Sequence, residues 1–204
     1  EGYGYNLLVT GDACPECEYN SVRFNSTVNN VLNFGIEKAQ VALGKNAKVF
    51  VTNNYYAMNN PWLRVDVDAS AETSGKLYID GDVYGTTQVI ANIINYKDIG
   101  EKSIVFAKAY GDVYDEDGNN AEASKAFAVY RTVGSPYKWY VKYEEDGLNI
   151  WSLAMGSEAN DYEEDCPELA PEEPETPEID GFMPTLDRIK EGIQVVDYIS
   201  DVEA

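Results

Sequence analysis

The chain has 204 residues, with 36 acidic against 15 basic side chains and no histidine. A net charge of −21 speaks against nucleic acid and anionic membranes as partners and favours cations or basic proteins. The missing imidazole removes Ser-His-Asp and Cys-His catalysis and His-ligated zinc, so the expectation is a protein that is not a conventional enzyme.

Residues 1–46 read as an N-terminal extension. The chain opens at Glu1 with no Met and no apolar leader, as expected of a mature exported form or of a chain trimmed the same way. No run of about 18 apolar residues suits a bilayer span, so no transmembrane segment is expected. Residues 5–10 form a strand by pattern. Cys14-Pro15-Glu16-Cys17 then has three readings: a redox dithiol, a metal half-site without its second pair, or part of a structural disulfide. An oxidising compartment favours the disulfide. With Cys166 there are three pairings: either Cys14 and Cys17 close a tight loop, or Cys166 is stapled back to one of them. Asn25-Ser26-Thr27 is a glycosylation triplet, making Asn25 a candidate acceptor. Val28, Val31, Leu32 and Ile36 hint at a short helix in the extension, and residues 22–28 fit a strand as well.

Residues 47–153 form the expected core. Leu63, Val65, Val67, Ala69 and Ala71 share one face, and Arg64, Asp66, Asp68 and Ser70 share the other, solvated one. Residues 76–80 lead into Asp80-Gly81-Asp82, where Asp-Gly suits the positive φ of a tight hairpin. Further short strands follow at 88–94, 103–110 and 126–133, a spacing that suits an antiparallel sandwich or barrel. The stretch 103–131, with its Asp115-Glu116-Asp117-Gly118-Asn119 turn, resembles the last two strands of immunoglobulin-like repeats in prokaryotic cell-surface proteins. Residues 76–85 (KLYIDGDVYG) resemble the central element of the same repeats. The resemblance covers about residues 47–134 and implies an immunoglobulin-like antiparallel β-sandwich in an extracellular setting, without a specific activity.

Two loops of this core carry candidate sites. Tyr55, Tyr56 and Trp62 lie in an aromatic, Asn-rich loop of the kind that stacks on sugar rings or protein partners. Asp112, Asp115, Asp117, Asn119 and Glu122 gather hard oxygen donors that suit Ca²⁺, although the spacing is not that of an EF-hand.

From residue 144 onward the chain holds 19 acidic and 2 basic residues. Residues 154–182 form an acidic, Pro-rich linker, extended by composition. In 183–204, Leu186, Ile189, Ile193 and Val196 fit one helical face, and the stretch from Gly192 fits a strand equally, so this segment is expected to dock. The expected function is that of an extracellular structural subunit. It would build a filament, fibre or layer from copies of itself by strand donation, with Ca²⁺ as an added tie. The alternatives are a carbohydrate- or protein-binding adhesion module and an exported thiol oxidoreductase at Cys14 and Cys17.

Overall fold

A computed structural model describes residues 4–11 and 21–160, and the structural statements below refer to them. The expectations for Cys14, Cys17 and Cys166, for the acidic linker beyond residue 160 and for the docking segment 183–204 lie outside the described residues.

The strands wind in coils. After β1 (Tyr5–Thr10), β2 (Ser21–Phe24) leads into the long β3 (Thr27–Glu37). The ladder of β3 breaks around Asn30, whose φ is 64°. The next coil is β4 (Gln40–Leu43), β5 (Lys48–Val51) and β6 (Tyr55–Met58). It is followed by β7 (Trp62–Asp68) with the short β8 (Thr73–Ser74) beside it, β9 (Lys76–Ile79) and β10 (Val83–Tyr84). A further coil holds β11 (Thr87–Asn95), β12 (Ser103–Ala109) and β13 (Val113–Tyr114), and β14 (Phe127–Val133) opens the last.

Each strand pairs in parallel with its counterpart one coil later. The first face runs β2, β4, β7, β11, β14. On the second, the N-terminal half of β3 pairs with β5, then β9 and β12 follow. The third takes the C-terminal half of β3, then β6, β10 and β13, with β1 on its outer edge. Together they make a three-faced parallel β-solenoid. It closes with an antiparallel hairpin, β15 (Tyr137–Glu145) and β16 (Asn149–Ala159), in which β16 lies antiparallel to β12 on the second face.

In-register parallel pairing sets like on like. Val41, Leu63 and Val89 form one inward column and Val49, Leu77 and Ala107 another, which Trp151 of the antiparallel β16 extends, all buried. Burial of such side chains contributes about 1.5–3 kcal/mol each, which is what holds strands this short in place. Aromatic rings fill the middle. Phe127 meets Tyr55, Phe106 and Trp151 at centroid distances of 5.9, 5.4 and 5.0 Å.

The corner between the second and third faces is built by amide and carboxylate side chains in register. Backbone N–H groups of Asn54, Asp82 and Asp112 donate to the side-chain Oδ1 of Asn33, Asn54 and Asp82, at 3.2, 3.0 and 2.9 Å. Asn6 Oδ1 accepts from Asn33 Nδ2 at 2.8 Å, which adds β1 to the column. At the next corner Gly85 has φ +79°, and a Cβ there would lie 2.0 Å from the Ala57 carbonyl oxygen, so only glycine fits.

The all-β expectation holds, and two sheets of ten and six strands face one another across a single core in a sandwich-like way. The strand pairing is corrected. It is parallel between coils, where an immunoglobulin-like sandwich requires antiparallel neighbours, because inward–outward alternation is the same for both pairings. Ile79 and Val83 flank a corner and belong to different faces, so Asp80-Gly81-Asp82 is no hairpin. Gly81 is required there because a Cβ would meet the Asn53 carbonyl oxygen at 2.4 Å. Two boundaries also move. Residues 21–46 form no helix; they build the first coil and part of the next, with Val31, Phe34, Ile36 and Leu43 in the core. Strand β16 carries the folded body past residue 153 to Ala159.

Candidate functional site

The aromatic loop does not form one surface. Tyr55 points inward and is fully buried, with its hydroxyl 2.9 Å from Thr87 Oγ1. Burial pushes its pKa far above the usual tyrosine range. Tyr56 points outward on the third face, in register with Tyr84 and Tyr114 on the next coils. These rings stack at 4.9 and 5.0 Å, so their faces cover each other and leave mainly edges for a ligand. Trp62 lies on the first face, edge-on to Tyr130 at 4.3 Å. One residue of alternation and one corner separate the expected trio.

The candidate Ca²⁺ loop is likewise engaged in its own turn. Asp115 Oδ1 accepts from the backbone N–H of Asp117 and Asn119, at 3.0 and 2.8 Å, and from Asn119 Nδ2. Those bonds hold the Asp115 carboxyl below its ordinary pKa. Glu122 pairs with Lys125 at 2.9 Å, and the Asp112 backbone belongs to the corner ladder. Among the described residues no three His, Cys, Asp or Glu side chains gather as a metal site. Asn25 is exposed between β2 and β3, its Oδ1 accepting from Arg23 Nε at 2.9 Å.

Two outward carboxylates expected on a solvated face are in fact buried. Asp66 binds Arg23 and accepts from Asn92 at 2.8 Å; Asp68 accepts from Lys45 at 3.0 Å and from Asn95 at 2.8 Å. Both are matched, so they are structural.

The two ends of the solenoid differ. At the closing end a cavity of about 440 Å³ lies between the Gly111 corner and the hairpin turn, lined by Tyr110, Asp112, Tyr143, Glu145 and Asn149. Asn149 Nδ2 donates to the Gly111 carbonyl at 2.8 Å. On earlier coils the equivalent carbonyls of Asn53 and Gly81 accept from the backbone N–H of Gly81 and Gly111. A side-chain amide therefore stands in for the backbone of a further coil. Tyr143 holds that amide by donating to Asn149 Oδ1 at 2.7 Å.

Edge strands show the same asymmetry. The outer edge of the hairpin, β15, carries Lys138, Lys142, Glu144 and Glu145, and such charges discourage further pairing. At the opening end β1 (YNLLVT) has no charge, and its free side pairs with nothing among the described residues. Tyr5 and Leu8 on it are 47% and 50% exposed. This edge is the candidate interaction site, and its neutral sequence was the available signal.

Compared with protein-family models, with curated proteins and with solved structures, the chain matches none. Among the described residues no helix is long and apolar enough to cross a membrane.

Proposed function

We propose that the protein is a structural subunit of an extracellular assembly and joins copies of itself through the β1 edge. The observation that carries this reading is the contrast between the uncharged, half-exposed β1 and the charged β15. An unguarded edge strand is a template for strand addition, because its free N–H and C=O groups need partners. Asn6 of β1 is hydrogen-bonded to Asn33, the first of the corner row Asn33, Asn54 and Asp82, which ties the edge strand to the coils behind it. Localisation outside the cell and growth into a fibre or layer belong to the same reading.

Sedimentation of the full chain across micromolar concentrations, with and without Ca²⁺, tests it. The wild type associates reversibly, and Leu8→Lys, a charge placed on the exposed side of the edge, returns it to monomer with an unchanged melting temperature. A wild type that stays monomeric at the highest concentration in both conditions refutes the proposal.

A further inference from the structure

The outward side of the second face carries a second, independent feature. Lys48 and Lys76 are register partners there, as are Phe50 and Tyr78, and Lys108 lies across from Tyr78. Phe50 and Tyr78 stack at 4.9 Å with 10° between their planes, and Phe50 is 37% exposed. None of the three lysines pairs with a carboxylate among the described residues, although the whole chain has a net charge of −21. Lys76 instead folds its ammonium onto the Val105 carbonyl at 2.8 Å, and burial together with Lys108 and Lys48 lowers its pKa. Three unneutralised cations around an aromatic stack form a surface that favours an anionic occupant with apolar groups to lie against the ring edges.

The chain supplies one. Residues 161–180 contain ten acidic residues, four prolines and no Lys or Arg. They follow directly on β16, which belongs to this same face. From β16 back to β5 is three strand spacings, about 14 Å, while twenty extended residues reach up to roughly 66 Å. Proline-rich segments bind aromatic surfaces at low entropic cost, and carboxylates supply the charge that the lysines lack.

We propose that residues 161–180 of the same chain dock on the outward second face, with carboxylates on Lys48, Lys76 and Lys108 and prolines against the Phe50–Tyr78 stack. The contact would leave the β1 edge open, so it stands or falls separately from the assembly reading.

Carbodiimide cross-linking of the full-length protein, mapped by mass spectrometry, tests this directly. Isotopically light and heavy chains are mixed beforehand, so links within and between molecules are told apart. Expected are intramolecular links from residues 161–180 to Lys48, Lys76 or Lys108. These exceed links to Lys97 and Lys125, and they vanish at 1 M salt, where the screening length falls to about 3 Å. In the exposed-face variant Lys48→Glu/Lys108→Glu, checked for an unchanged circular dichroism spectrum, the link to the remaining Lys76 is expected to be lost too. Links spread evenly over all lysines overturn the proposal, and so do links found only between light and heavy chains.

Discussion

Replacing Tyr55 by Phe removes one oxygen atom and isolates the buried hydrogen bond at the centre of the solenoid. Tyr55 and Thr87 are both fully buried, and their hydroxyls are 2.9 Å apart. In Tyr55→Phe the Thr87 hydroxyl loses that partner inside the core, a desolvation cost of about 1–3 kcal/mol. Changing Thr87 to Val as well removes the stranded group, so the double variant regains most of the loss. Urea unfolding at neutral pH reads both numbers.

A pH arm adds an independent check. The folded-state pKa of Tyr55 is raised by burial, so its contribution is fully present below about pH 10 and is lost as pH rises, because the unfolded chain ionises first. In that window the wild type loses up to about 1.4 kcal/mol per pH unit more than Tyr55→Phe. The difference between the two proteins cancels the other tyrosines. A single variant as stable as wild type, or a double variant that costs the sum of two singles, refutes the reasoning.

Two further predictions concern the coils. Gly85→Ala meets both a positive φ of 79° and a carbonyl oxygen 2.0 Å from the new Cβ, while Gly118→Ala at φ +83° meets nothing within 4 Å. Thermal unfolding is therefore expected to show a loss of about 3 kcal/mol or more for the first and about 1–2 for the second. Asn149→Ala strips the caps from the Gly111 carbonyl and the Tyr143 hydroxyl, costing about 1–2 kcal/mol. Hydrogen exchange should rise in β13 and in the hairpin turn and stay unchanged in β4; equal protection everywhere would show that the side-chain cap is dispensable.

What could be read from the chain was local. Alternation in Leu63, Val65 and Val67 gives the inward face of β7 correctly, since a side chain's direction depends only on its own strand. Which strand lies beside it depends on chain reversal, and there Asp80-Gly81-Asp82 misleads: an Asp-Gly pair suits a hairpin and a solenoid corner equally. The signal that separates them is repetition. Asn54, Asp82 and Asp112 recur at the same corner, but the unequal coil lengths hide them from a fixed-period search. Tyr55 and Tyr56 show the same limit on the site side. Adjacent and chemically identical, they go to opposite sides of the wall, so residue type alone could not distinguish core from surface. The β1 edge was legible as a strand, but its exposure follows from the parallel pairing, which the alternation leaves open.

The corner ladder also separates the length of the object from the length of its chain. Phe34, Tyr55, Val83 and Val113 are stacked neighbours, yet 21, 28 and 30 residues separate them along the backbone. Each coil nevertheless advances the stack by one strand spacing, about 4.8 Å, because corner side chains and in-register strands set the step. Extra residues go sideways into loops such as the one around Gly118, where there is open space. Such a molecule works as a ruler: its reach is counted in corners, and its decoration can vary without changing the measure.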